Sequence, residues 1–172
     1  MQTGLYSKHF ESFFASEELR AQMKAAVELI RPVKRIFFLG NGGSNSICSH
    51  MMEDYGKIAR YRTYAFSDAP LITCYANDYG YENAMAEWIK LYLDKGDLLI
   101  AISSSGESKN IVNAAAATKN QGGKVITLTG FSEGNTLAKM GDINMHLPVK
   151  NYGVVECFHQ TILHIILDSL NG

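Results

Sequence analysis

The chain has almost no surplus of either charge: sixteen lysines and arginines stand against seventeen aspartates and glutamates, a formal net charge of −1. No basic stripe or tail is present to release counterions from a nucleic acid, so selectivity has to come from a pocket. Cysteine is scarce as well. Cys48, Cys74 and Cys157 are odd in number, far apart and set within apolar stretches, which argues against a disulfide framework and predicts reduced, packed thiols in a cytoplasmic protein. No apolar run approaches the ~18 to 20 residues of a membrane span, and no charged segment precedes an apolar one at the start, so neither insertion nor export is expected. Low-complexity segments, long linkers and internal repeats are also missing. One domain over residues 1–172 is predicted, long enough to bury about two-thirds of its extended surface.

Two nucleotide signatures are absent. Gly40-Asn41-Gly42-Gly43-Ser44 lacks the G-x-G-x-x-G spacing, and G-x-x-x-x-G-K-[ST] occurs nowhere, which argues against a dinucleotide or ATP.

What the chain does contain is the run Leu98-Leu99-Ile100-Ala101-Ile102-Ser103-Ser104-Ser105-Gly106-Glu107-Ser108. An apolar strand breaks into four hydroxyls and a glycine immediately ahead of an alanine-rich helix. Hydroxyls and backbone N–H groups then converge on the positive end of a helix dipole, where a phosphate can be held without lysine or arginine. A serine-rich turn can also be a simple helix N-cap. The plan recurs, however, at Arg35-Ile36-Phe37-Phe38-Leu39-Gly40-Asn41-Gly42-Gly43-Ser44-Asn45-Ser46, again a short apolar strand, a glycine turn and a capped helix.

Around these loops the pattern alternates. Residues 7–31 repeat apolar positions at helical spacing up to Pro32, followed by a strand at 36–39, a helix at 44–59 and a short strand at 63–67. Helical residues 71–75 follow the Asp68-Ala69-Pro70 turn, and Asn77-Asp78-Tyr79-Gly80 reads as a second turn. Helices at 82–93, 108–121 and 154–170, a short one at 135–140, and strands at 98–102, 125–129 and 143–147 complete the alternation. The predicted fold is α/β: a doubly wound parallel sheet in a three-layer, flavodoxin- or Rossmann-like sandwich, with ligands at the carboxyl ends of the strands.

Ionisable residues mark a second site. His50 and Asp54 are four apart on the helix opened by the first loop, and Glu156 and His164 are eight apart on one broad face of the last helix. Singly they read as structure: His50 and Asp54 as a local pair, Glu156 as a neighbour of His159, and His164 as a core histidine bonded to a carbonyl. Together they read as two carboxylates and two imidazoles suited to proton transfer or to zinc.

In the order and spacing of these motifs, together with Ser67-Asp68, Cys74 to Gly80, Thr127-Leu128-Thr129-Gly130 and Leu163 to Leu167, the chain resembles the sugar isomerase (SIS) domain family, and within it the phosphoheptose isomerases acting on sedoheptulose 7-phosphate. The resemblance spans nearly the whole chain. It implies sugar-phosphate binding by Asn41, Gly42, Gly43, Ser103, Ser104, Ser105 and Ser108, with Ser44, Asn77 and Asp78 nearby and Glu156 beside the substrate. It also implies Asp54 as the catalytic carboxylate and His164 as the catalytic histidine. Some members hold zinc through the positions of His50, Asp54, Glu156 and His164.

Two positions depart from the family pattern, Asp54 replacing its usual glutamate and Glu156 its usual glutamine. The implied reaction is aldose–ketose isomerisation through a cis-enediol, with Asp54 moving the proton between C1 and C2 and His164 serving the oxygens. If zinc held Asp54 permanently, Glu156 would be the alternative base. The implied assembly is a homotetramer, packed in part through the helical segment 1–32. A silent sugar-phosphate binder or a tetrameric adaptor of the replication-initiator-binding type is the other class the family offers.

Overall fold

The computed structural model describes residues 2–172. Leu98–Ser103, here β3, is buried at all six positions, as expected of a strand covered on both faces. Its side chains alternate between two cores. Leu98, Ile100 and Ile102 join Ile36 and Phe38 in one, while Leu99 and Ala101 join Phe37 and Leu39 in the other.

The other strands are β1 (Arg35–Leu39), β2 (Arg62–Ala65), β4 (Lys124–Gly130) and β5 (Ile143–Leu147). All pairings are parallel and the order is β2-β1-β3-β4-β5. This doubly wound order reverses between β1 and β3, so the loops after those two strands diverge to opposite faces and leave a crevice between them. Helices α2 (Glu17–Ile30), α3 (Gly43–Lys57) and α7 (Tyr152–Asn171) cover the first core, while α5 (Tyr81–Tyr92) and α6 (Lys109–Asn120) cover the second.

The N-terminal segment departs from the single predicted helix. It forms α1 (Thr3–Ala15) and α2, parted at Ser16, which leaves helical geometry at ψ 119° while its hydroxyl accepts from Leu19 N at 3.2 Å. An N-cap serine followed by Glu17 and Glu18 favours a new helix start over continuation. Helix α1 buries no residue fully, but Phe10, Phe13 and Phe14 surround Phe158 of α7 with ring centroids 4.8 to 5.7 Å away.

Asn77 and Asp78 form no turn. Helix α4 (Ala69–Tyr79) runs through both, capped by Asp68 with Pro70 in its first turn, and stops only at Gly80, whose φ is +76°. The expected helix at 135–140 contracts to a 3₁₀ turn, Ala138–Met140. Of the three thiols only Cys48 is packed; Cys74 and Cys157 occupy outward helix positions and are exposed. Among the described residues no helix is long and apolar enough to cross a membrane.

Candidate active site

After Ser103 the chain turns through Gly106 at φ +67°, and the Gly106 N–H donates to both the carbonyl and the hydroxyl of Ser103, each at 3.1 Å. Glycine is required there. A Cβ at Gly106 would strike the side chain of Asn135, a buried residue that ties down the loop after β4 through Gly130 O, Ser132 O and Ala138 N. Glu107 fastens the same loop from outside, accepting from Thr136 N at 2.8 Å and Thr136 Oγ1 at 2.7 Å, bonds that lower its carboxyl pKa.

This scaffold leaves the serine hydroxyls facing a cavity of about 150 Å³. Ser44, Ser103, Ser104, Ser105 and Ser108 line it together with Asn41, and Tyr152 and Glu156 of α7 close the far side. Among the described residues no lysine or arginine takes part. Ser108 is the N-cap of α6 but caps no N–H with its side chain, and the buried Ser104 hydroxyl has no partner among the described residues. An uncapped helix end beside an orphaned hydroxyl suits an anion with oxygens to share.

The first loop works differently. Helix α3 is capped by Gly42, at φ +53° and without a side-chain bond, and a Cβ on Gly43 would lie 2.5 Å from Glu156 Oε2. Gly42 supplies the positive φ of the turn, and Gly43 admits the Glu156 carboxylate to the positive end of α3, where the helix dipole favours it. One helix end meets an anion of the protein, and the α6 end is left for a ligand. Asn41 links the two loops. Its amide pairs reciprocally with Asn110 of α6, at 3.0 and 2.8 Å, and its carbonyl also accepts from Tyr81 Oη at 2.9 Å.

Farther along the same two helices that bring Ser44 and Glu156 to the cavity, α3 and α7 bring together His50, Asp54 and His164. Asp54 Oδ2 lies 3.2 Å from His50 Nε2 and 3.9 Å from His164 Nδ1, and the two rings are edge to face at 5.2 Å. One ligand atom from each residue falls within 4.8 Å of the others. Two imidazoles and a carboxylate are a donor set that suits a first-row divalent cation, and three protein ligands leave a coordination position open. The fourth expected member, Glu156, stands two helical turns from His164 against Gly43, outside this cluster. Gln160, one turn from each on the same stripe of α7, occupies the place instead, 2.8 Å from His50 Nδ1 and 3.1 Å from His164 Nε2.

Asn77 and Asp78 are not brought to the cavity; both are exposed on α4 and bonded to each other. The core histidine is His159, not His164. His159 is fully buried, its Nε2 pairs with Thr129 O at 3.1 Å, and burial pushes its pKa down to about 4. Asn110, Tyr152 and Gln160 were missed from sequence. Only Gln160 left a trace there, the i, i+4, i+8 spacing of Glu156, Gln160 and His164.

Fold and site together define the class: a doubly wound α/β protein with a serine-lined crevice at its strand ends and a His–Asp–His cluster on α3 and α7. The chain belongs to the SIS domain family, whose profile matches residues 9–130. It is 33% identical to the phosphoheptose isomerase of Fusobacterium nucleatum, over 96% of this chain and 91% of that protein. It is 35% identical to the Proteus mirabilis phosphoheptose isomerase, over 88% of this chain and 83% of that one. Among solved structures, a phosphoheptose isomerase from Francisella tularensis superposes with a TM-score of 0.82 at 27% identity, covering 99% of this chain and 98% of that one. The phosphoheptose isomerase from Neisseria gonorrhoeae has the same fold, with a TM-score of 0.91 at 24% identity over 98% of this chain and 95% of that one.

Proposed function

We propose that this chain is a sugar-phosphate aldose–ketose isomerase that converts sedoheptulose 7-phosphate to D-glycero-D-manno-heptose 7-phosphate, in the cytoplasm, for surface-glycan biosynthesis. The observation that carries the reading is the serine cradle at the α6 end together with the His50–Asp54–His164 cluster on α3 and α7, the two helices whose Ser44 and Glu156 line that cradle. In a chain related to phosphoheptose isomerases over nearly its full length, these supply a phosphate handle and a proton-transfer group on the same pair of helices.

Ser103, Ser104, Ser105 and Ser108, with the N–H groups of α6, anchor the phosphate, and Gly42, Gly43, Ser44 and Asn41 shape the opposite wall. Anchoring one end of an open-chain sugar orients C1 and C2 and removes much of the entropic part of the barrier. Asp54 takes the proton from one carbon and returns it to the other through a cis-enediol, while His164 exchanges protons with the two oxygens. Glu156, facing the cavity, receives sugar hydroxyls. His50, Asp54 and His164 would hold a Zn²⁺ ion, whose chemistry is polarisation of the substrate carbonyl; with Asp54 engaged in that way, Glu156, which lines the cavity, is the base. Exposure of His50 and His164, at 50% and 38% of their side chains, leaves room for a neighbouring copy in a homotetramer packed partly through residues 1–32.

The test is incubation of the protein with sedoheptulose 7-phosphate and Zn²⁺ in D₂O. Deuterium at C2 of the aldose is the expected result. Intact sugar-phosphate binding with no incorporation would overturn the isomerase reading in favour of a silent binder or adaptor.

A further inference from the structure

Among the described residues Gln160 is the one side chain hydrogen-bonded to both imidazoles of the cluster, and the arithmetic of protons around it is restrictive. An amide nitrogen carries two hydrogens and accepts none. With Gln160 Nε2 2.8 Å from His50 Nδ1 and 3.1 Å from His164 Nε2, both of those ring nitrogens are acceptors. Each neutral ring then carries its proton on the other nitrogen, His50 Nε2 and His164 Nδ1. Those are the nitrogens that face Asp54 Oδ2, at 3.2 and 3.9 Å. Amide and carboxylate thus read opposite edges of the same two rings, the carboxylate within hydrogen-bond distance of His50 and farther from His164.

The pattern inverts cleanly. If the nitrogens facing Asp54 are to ligate a cation they must be bare, which moves the remaining protons to His50 Nδ1 and His164 Nε2. Both then point at Gln160, whose carbonyl oxygen has two lone pairs to accept them. A glutamine serves either state by turning its amide over; a glutamate only accepts, and a leucine does neither.

We propose that Gln160 is the positioning residue of this site, a two-way amide that sets the tautomer and ring plane of both His50 and His164, donating in the ion-free protein and accepting when a divalent cation is held. It rests on the reading above only in placing the chemistry at this cluster. Groups that orient metal-binding histidines through their far nitrogens are typically worth about 10- to 100-fold in metal affinity. Glu156, held at the α3 end, is free for the substrate.

The experiment uses the full chain with ¹⁵N-labelled histidine. Long-range ¹H–¹⁵N spectra of the metal-free protein, recorded at mildly alkaline pH, give the tautomer of each ring. His164 is expected as the Nδ1–H form, the less common one for free histidine, with a shift toward Nε2–H in both Gln160→Leu and Gln160→Glu. Competition with a chelator should show Zn²⁺ bound about 10- to 100-fold more weakly by Gln160→Leu and at least as tightly as wild type by Gln160→Glu. Gln160→Ala repeats the apolar arm should leucine disturb folding. An Nε2–H His164 in the wild type, or unchanged Zn²⁺ affinity in Gln160→Leu and Gln160→Ala, overturns the proposal. If deuterium exchange fails in wild type while these results hold, the isomerase reading falls and the role of Gln160 stands; the reverse outcome separates them equally well.

Discussion

Tyr55 Oη donates to the carbonyl of Leu163 at 2.9 Å, joining α3 to α7 one residue beyond Asp54 and one residue before His164. Tyr55 is fully buried, with its ring edge-on to Phe38 at 5.4 Å, and burial raises its pKa, so the phenol remains a donor at ordinary pH. The spacing of Asp54 and His164 is thereby set from the core. Tyr55→Phe keeps the packing and removes the clamp: stability should fall by about 1 kcal/mol. The looser helix spacing should lower kcat by about tenfold with little change in KM, since small misplacements at a reacting centre are costly. Denaturant melts and steady-state kinetics check both.

The serines of the cradle should separate into two kinds. Ser104 Oγ is buried without a partner, whereas Ser103 Oγ accepts from Gly106 N and pairs with Ser108 Oγ at 3.4 Å. Ser104→Ala is expected to raise KM about tenfold while leaving thermal stability intact, the loss of one good ligand hydrogen bond. Ser103→Ala should lower the melting temperature as well. His164→Ala should abolish turnover with sugar phosphate still bound; a KM effect alone there, with normal kcat, would show the roles to be exchanged.

Asn110 joins the two loops through its paired amide with Asn41 and is only 3% exposed. Asn110→Ala leaves Asn41 without that partner and should cost about 1 to 3 kcal/mol in stability. Loss of register between the loops should also raise KM. A double-mutant cycle with Asn41→Ala tests the link: the two effects should be strongly non-additive, and simple addition would show that the amides act independently.

His159 makes stability depend on pH. Its pKa is lowered by burial from 6.5 to about 4, so between those values the unfolded chain binds more protons than the folded one. Its contribution is complete above pH 6.5 and is lost as the pH falls toward 4, on the order of 3 kcal/mol in all. His146, also lowered by burial, acts in the same direction. His159→Gln, which keeps an N–H for Thr129 O, should flatten the profile in that window; an unchanged slope would contradict the assignment.

The parts legible in the chain were those written by local chemistry. Alternation on either side of the buried run at β3 announced a parallel sheet, and the two glycine–serine loops announced strand-to-helix turns at its carboxyl edge, because period and turn residues act over a few positions. Ser16 carried a cap signal ahead of Glu17 and Glu18 that the long apolar period of residues 7–31 obscured. The helix through Asn77 and Asp78 was hidden for a related reason: turn-forming residues are tolerated at a helix's last turn when a glycine follows.

By itself the sequence determined the strand and helix order, the position of the cradle at strand ends, and the helical spacing that puts His50 with Asp54 and Glu156 with His164. Those follow from backbone periodicity and are the same in any packing. Only the tertiary structure decided that Glu156 faces the α3 end while Gln160 reaches the histidines, that Asn110 completes Asn41, and that His159 rather than His164 lies in the core. Which turn of α7 meets α3 depends on how two helix surfaces interlock, and that is a property of side-chain shapes brought together from distant parts of the chain.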